Sequence, residues 1–482
     1  MNDLAVIGLE VTIVAVGLAL LLLDLWTPAP QKRYLGYVAA AAAFLTFLGS
    51  FAVLLPEARS AFGGMYALDE FSLFFKRFFL LASTVVLVMS VTYSERFESG
   101  MVEYYALVLF ATAGMMFAAS ANDFSLLFVS VELITVTFYV LTSFHRRRVG
   151  SIEAGVKYLI LGALSSGFLV YGIALVYGAS GTLSFAVLAK ASPAVQASKL
   201  LMVGMLLVLV GLAFKIAAVP FQIWAPDVYQ GAPSPTTAFL ATGSKAAGFV
   251  LLLRVLHLTV PSITLGWSTL LMVMAGATIL YGNLCAIPQR NLKRLMGYSS
   301  ISHAGYLLLG VSALSARGAA AVLYYFGGYL FTVLAAFCVI CLVLGETEGE
   351  EIDRLAGLHR RSPFLAAALG LSMVSLAGVP PLAGFFGKFL LIQSLLAESS
   401  HHAGTFLLAG VAIVGVVISL YYYFAVIKAI YWPAEVKDLS PIQVPMPLRL
   451  ALLLCIGGML WLGMFPNSIV NLSEHAVAAL RL

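Results

Sequence analysis

Charged residues are scarce in this chain of 482 residues: Asp, Glu, Lys and Arg make up 10% of it, against 61% hydrophobic residues. A soluble protein carries about a quarter charged side chains, so this shortage excludes a water-soluble fold. No polar stretch between apolar runs exceeds about 20 residues, which is too short for a folded extramembrane domain. Period-two alternation is also lacking, and that excludes a transmembrane barrel. Cysteine is sparse: Cys285, Cys338, Cys341 and Cys455 all fall in apolar stretches. The Cys338/Cys341 spacing would suggest redox or metal chemistry in a soluble protein, but with no further ligands nearby the pair reads as two small packed hydrophobes. No metal site is expected. There is no G-x-G-x-x-G, no cysteine cluster outside the apolar runs and no pair of deep histidines for haem, so no redox centre or cofactor is expected in this chain. The net charge of +5 fits buried lysines plus one basic membrane face, and no nucleic-acid partner is expected.

The chain is instead a series of apolar runs long enough to cross a bilayer as helices. Bounded by charge, Pro or Gly, they fall at 4–26, 34–55, 73–94, 101–119, 123–144, 151–178, 198–230, 235–257, 263–287, 291–312, 317–344, 362–396, 404–431 and 447–471. The fold class is therefore all-α and polytopic, with about fourteen transmembrane helices. The first run has no basic flank before it and no cleavage site after a short core, and is read as a retained span. An even count puts both termini on one side. On the opposite face the loops and span ends hold fourteen Lys and Arg, among them Arg146, Arg147, Arg148, Lys293, Arg294 and Lys437. The terminus side holds eight: Arg59, Lys76, Arg77, Lys190, Lys199, Arg254, Arg317 and Arg481. The positive-inside rule then places both termini outside the cytoplasm.

Ala217-Ala-Val-Pro220 in the seventh span returns as Ala377-Gly-Val-Pro380 in the twelfth, an offset of 160 residues and five spans. Five is odd, so spans four to eight and nine to thirteen would form an inverted repeat. The expected units are an N-terminal three-helix segment at 1–100, five-helix repeats at 101–260 and 261–431, and a C-terminal helix at 432–482. Further helix breakers follow each copy, Pro226, Gly231, Pro233 and Pro235 in one and Pro381, Gly384 and Gly387 in the other. Pro220, Pro226, Pro380 and Pro381 thus predict two interrupted spans. Unpaired backbone at membrane depth is tolerated only where protein or water receives it, so the breaks point to an ion or substrate path.

Five ionisable residues lie deep in five spans: Glu132, Lys215, Lys245, His303 and Lys388. A charge at the bilayer centre costs at least a few kcal/mol, so each is expected to face the interior. One carboxylate cannot neutralise three lysines. Some lysines must be neutral part of the time or sit in water, which suggests proton chemistry, because a buried lysine titrates and an arginine does not. Arginine is expected to keep to loops and span ends. His303 suits an intermediate relay. Glu10, Asp24, Lys157 and Lys428 rank lower, and Glu153 with Lys157 makes an i, i+4 pair at a helix end.

The segments KYLILGALSSGFLVYGIALVYGASGT, FKIAAVPFQIWAPDVYQGAPSPTTAFLATGSKAAGFVLLLRV, QRNLKRLMGYSSISHAGYLLLG and SLAGVPPLAGFFGKFLLIQSLL resemble the antiporter-like membrane subunits of respiratory complex I, the NADH-quinone oxidoreductase. The resemblance covers nearly the whole chain and implies the same fourteen-helix architecture, with two inverted repeats and broken seventh and twelfth helices. It implies that Glu132 and Lys215 are a carboxylate–lysine pair, Lys245 the central lysine and Lys388 the lysine of the second break. His303 and Lys157 become further members of a polar axis. It also implies a non-redox subunit of a proton-pumping enzyme in the bacterial cytoplasmic membrane, with periplasmic termini and neighbouring antiporter-like subunits as partners. NADH, FMN, iron-sulfur clusters and quinone are then expected elsewhere in the complex. A subunit of a multi-subunit sodium/proton antiporter is the alternative.

Overall fold

The structure, a computed structural model, describes residues 3–53, 55, 57–97, 99–259, 266–343, 350–397, 404–432 and 440–480. Lys437 and Arg481 of the basic tally, the expected unit boundary at 260/261 and the expected start of the ninth span lie outside the described residues.

The first six helices are α1 (Gly8–Trp26), α2 (Leu35–Gly49), α3 (Glu70–Tyr93), α4 (Met101–Ala119), α5 (Phe124–Thr142) and α6 (Val149–Ser180). The seventh span is α7 (Lys199–Ile216) and α8 (Trp224–Gly231). The eighth is α9 (Ser234–Phe239), a π-helical turn Leu240–Ser244, and α10 (Lys245–Leu258). Then come α11 (Ser268–Ala286), α12 (Leu292–Ser312) and α13 (Ala316–Val343). The twelfth span is α14 (Pro363–Ala377) and α15 (Ala383–Ala397), followed by α16 (Thr405–Tyr431), α17 (Met446–Met464) and α18 (Asn467–Ala478). Twelve helices among the described residues are long and apolar enough to cross a membrane. With α12 and the interrupted α14–α15 pair this matches the fourteen expected spans. A small hairpin, β1 (Arg59–Ala61) with β2 (Tyr66–Leu68), closes the terminus side.

The eighth span is wholly buried and α13 and α3 nearly so, whereas α1, α2, α6 and α16 turn most of their apolar surface outward. In a bilayer an apolar outer face carries no penalty, so helices associate through close packing of small residues. A Cβ on Gly172 of α6 would lie 2.7 Å from the Gly204 carbonyl of α7. That contact brings the backbones of α6 and α7 together.

Both breaks end their first half-helix in the same hydrogen-bonded form. Ala217, at φ 59°, follows α7, with its amide on Phe214 (3.0 Å) and that of Ala218 on Ala213 (2.9 Å). Gly378, at φ 84°, follows α14, with its amide on Ser375 (3.0 Å) and that of Val379 on Val374 (3.2 Å). This is the left-handed helix stop. The equivalent positions are therefore 161 residues apart, one more than the offset from the Ala-x-Val-Pro match. The left-handed turn, not the proline, is the shared landmark, and one copy uses Ala where the other uses Gly. Pro220, Pro380 and Pro381 lie in the joints, which contain cis peptide bonds at Val219–Pro220 and Pro380–Pro381. Pro226 is a correction: it occupies the first turn of α8, where a missing N–H costs nothing, so it helps start a half-helix and does not break one.

Candidate functional site

Lys215 lies in the last turn of α7, directly before the first joint. Its ammonium donates to Thr135 Oγ1 of α5 at 3.0 Å. Glu132, one turn earlier on α5, accepts instead from Ser166 Oγ of α6. No ion pair joins Glu132 to Lys215, so the expected carboxylate–lysine contact is open in this structure. Glu132 is also only half-buried, on the side of α5 where Val129, Leu133 and Val136 are exposed. The expectation that every deep charge faces the interior fails there, because an isolated span exposes whatever a lipid or a neighbouring chain would cover.

Lys245 follows the π-helical turn and is buried at the centre of the bundle. Its ammonium donates to both the carbonyl and the hydroxyl of Ser300 on α12. Lys215 packs one turn along the same face of α10: a Cβ on Gly248, three residues after Lys245, would lie 3.2 Å from Lys215 Cγ. Ser300 Oγ also bonds the hydroxyls of Tyr229 at 2.8 Å and Tyr329 at 3.3 Å. His303, one turn further along α12, bonds Tyr325 through Nδ1 and Tyr423 through Nε2 at 3.0 Å. Tyr423 in turn bonds Ser299.

Lys388 folds back from α15 across the second joint and donates to the last carbonyls of α14, Leu376 at 2.8 Å and Ala377 at 3.2 Å. A cation there is favoured by the helix dipole as well as by the unpaired carbonyls. The ammonium also lies 4.9 Å from the Tyr306 ring centroid. Between His303 and the Leu376 end of α14 is a void of about 10 Å³ lined by Tyr325, Tyr329, Thr332 and Ser375, close to the least that one water needs.

Lys157 is not deep. It is partly exposed and pairs with Glu153 at 2.7 Å, as expected, and with Asp227 of α8 at 2.7 Å. Asp227 also takes Arg294 of α12 at 2.6 Å. Arginine keeps to loops and span ends, but a span end can be buried: Arg254 lies four residues before the end of α10. Arg254 is 1% exposed, bonded twice to Asp69 at 2.9 and 3.0 Å and once to the Ala119 carbonyl at 2.7 Å. Lys76, counted above with the basic residues of the terminus side, is 0% exposed and pairs with an equally buried Glu10 at 2.9 Å. Tyr66 bridges them, donating to Glu10 at 2.9 Å and accepting from Lys76 at 2.5 Å. Lys293 is buried too, on Glu350 at 3.0 Å and the Ala232 carbonyl at 2.6 Å. In each case the partner is far away in sequence, so no local pattern could mark the cation as buried.

The sequence profile of a family described as NADH:quinone oxidoreductase/Mrp antiporter, TM, matches residues 121–419. NADH-quinone oxidoreductase subunit N of Trichlorobacter lovleyi is 41% identical over 98% of this chain and 97% of that one. The chain belongs to the subunit N family. A chain of the respiratory complex I of Thermus thermophilus, solved with bound aureothin, is 32% identical, covers 96% of this chain and 98% of its own, and superposes with a TM-score of 0.80. A chain of the Mrp complex of a Dietzia species superposes at 0.87 with 22% identity, covering 100% of this chain and 98% of its own. That second likeness is one of fold alone.

In this member of the subunit N family, the sequence reading found the lysines and the histidine but not the hydroxyls that connect them. Thr135, Ser166, Tyr229, Ser300, Tyr325 and Tyr423 were missed. A signal existed in polar tips repeated within apolar spans, Tyr324-Tyr325 with Tyr329 and Tyr421-Tyr422-Tyr423, because a buried tyrosine hydroxyl needs a partner. Among the described residues no group of three or more His, Cys, Asp or Glu side chains could hold a metal ion.

Proposed function

We propose that this chain is the non-redox, proton-translocating membrane subunit of an NADH-quinone oxidoreductase. Protons move between Glu132, Lys215, Lys245, His303 and Lys388, while NADH and quinone react, with FMN and iron-sulfur clusters, in other subunits. One observation carries this reading: among the described residues Lys215, Lys245 and Lys388 are buried without a carboxylate in ion-pair contact, and each ammonium instead meets a hydroxyl or a carbonyl. A buried cation held only by neutral acceptors is less stabilised than a paired one, and loses its proton more readily. The void between His303 and the second break supports a water-assisted step toward Lys388.

The same reading divides the chain at about residues 100, 260 and 431 into a leading three-helix segment, two inverted five-helix repeats and a closing helix. It sets the Arg146–Arg148 face toward the cytoplasm, with both termini periplasmic, in the bacterial inner membrane. Neighbouring antiporter-like subunits are its partners. The test uses membrane vesicles containing the assembled complex. Lys245→Ala is expected to assemble and to lose most quinone-dependent proton uptake. Undiminished uptake would overturn the axis, and uptake that depends on sodium would favour the antiporter reading.

A further inference from the structure

Ser302 and Ser312 send their hydroxyl protons to carbonyls of their own helix α12, those of Ser299 at 2.8 Å and Leu309 at 2.9 Å. The Ser300 hydroxyl instead meets three side chains of other helices. It bonds Lys245 of α10, the Tyr229 hydroxyl of α8 at 2.8 Å and the Tyr329 hydroxyl of α13 at 3.3 Å. A hydroxyl has one proton to give and two lone pairs to offer, so three neighbours use its whole capacity. Their roles are constrained. An ammonium can only donate; Tyr329 is placed as a donor too, whereas at the Tyr229 contact either oxygen can donate. With Lys245 charged, both serine lone pairs are taken and the serine proton must go to Tyr229. With Lys245 neutral, the amine keeps its bond to the Ser300 carbonyl and offers a lone pair. The serine proton then turns to the amine, and Tyr229 donates to the serine.

We propose, resting on the proton-axis reading above, that Tyr229 tunes how firmly Lys245 holds its proton by reversing this one hydrogen bond: it accepts from Ser300 when the lysine is charged and donates when the lysine is neutral. Tyr229 is a positioning residue and keeps its own proton throughout. Its helix is held from two sides, since Asp227 of α8 bonds Lys157 of α6 at 2.7 Å and Arg294 of α12 at 2.6 Å. The other titratable groups around Lys245 bring no negative charge to it. Lys215 of α7 and His303 of α12 carry none, and Tyr325 of α13 is engaged with His303. Of the helices packed on the π-helical turn, α4 meets it through Met115, and the buried cation of α3, Lys76, is held by Glu10. Arg254, on α10 itself, is held by Asp69.

The experiment compares Tyr229→Phe, Ser300→Ala, the two combined, Lys245→Ala and Tyr104→Phe in vesicles containing the assembled complex, reading protons moved per quinone reduced across pH. Pumping that needs a loaded lysine falls as pH rises. In Tyr229→Phe a charged Lys245 leaves the serine proton buried without an acceptor, so the alkaline limb should move to lower pH by about one unit or more. Ser300→Ala keeps the carbonyl but removes one acceptor of the ammonium, and should move the limb the same way. In the combined variant there is no serine proton for Tyr229 to take, so the shift should equal that of Ser300→Ala alone. Tyr104 is an equally buried tyrosine, bonded to Thr236 at 2.7 Å, and its variant should keep the parental profile. An unshifted Tyr229→Phe beside a defective Lys245→Ala overturns the role of Tyr229 and leaves the axis standing. Shifts that add in the combined variant also overturn it, because Tyr229 would then act by a path other than Ser300. An equal shift in Tyr104→Phe assigns the effect to packing and overturns it as well. Normal pumping by Lys245→Ala overturns the axis itself. If Tyr229→Phe fails to assemble, Ser300→Ala decides: an unshifted limb there overturns the proposal, and a shift to lower pH upholds it.

Discussion

Two groups of cations are buried in this molecule, and they are held in different ways. Beneath the hairpin, Lys76 and Arg254 each have a carboxylate within 3.0 Å, Glu10 and Asp69. Asp69 is fixed in turn as the cap of α3, its Oδ1 taking the Ser72 amide at 2.7 Å. Along the centre, Lys215 donates to Thr135, Lys245 to Ser300 and Lys388 to the carbonyls at the end of α14, and none has a carboxylate in ion-pair contact among the described residues. Burial is common to both groups and pairing separates them; on the function proposed above, the cations without a carboxylate are the ones that exchange protons. A close ion pair holds the proton and the helices together, and its loss leaves a bare buried charge. A lysine on neutral acceptors can give up its proton and leave only neutral groups behind.

The largest effect should come from breaking a pair. Glu10→Gln strands Lys76 and is expected to cost about 3–5 kcal/mol of stability, read as a lower unfolding temperature in detergent and poor recovery of the complex. Lys245→Met, by contrast, should assemble with near-normal stability. If Glu10→Gln proved as stable as the parent, the distinction between the groups would collapse.

Lys388→Arg should come next. The charge is kept, but arginine does not release its proton, so pumping should fall about tenfold or more, equivalent to at least about 1.4 kcal/mol in the rate-limiting barrier. An arginine variant pumping at the parental rate would place Lys388 with the structural cations.

A smaller effect separates the two breaks. Gly378→Ala forces a side chain onto φ 84° with its Cβ 3.0 Å from Lys388 Cδ, whereas Ala217→Gly removes a side chain from φ 59°. The first should destabilise by about 1–2 kcal/mol and impair pumping, and the second should be neutral or stabilising. Matching melting curves for the two would show that the joints are not equivalent at these positions.

The smallest effect is expected of Thr135→Val, which removes the acceptor of Lys215 but leaves the Val131 carbonyl, now bonded by Thr135 at 2.6 Å, within the helix ladder. Pumping should fall only a few-fold, worth less than about 1.5 kcal/mol. A loss as deep as that of Lys245→Ala would mean that Thr135 carries protons itself.

The sequence by itself determined the number of spans, their approximate limits, the two interruptions and the lysines and histidine at mid-span. Each of these follows from a local property: run length against bilayer thickness, proline and glycine in an apolar run, and a charge far from either end. What only the tertiary structure decided was partnership. Glu10 meets Lys76 across 66 residues and Arg254 meets Asp69 across 185, while Lys245 finds Ser300 across 55 and Lys388 turns back on its own span's carbonyls. Whether a buried cation is neutralised depends on which helices pack together, and hydropathy along the chain does not contain that information. Glu132, half-buried on Ser166 at the outer side of the bundle, shows the same limit: the sequence set its depth in the membrane, and helix packing set the face on which it lies.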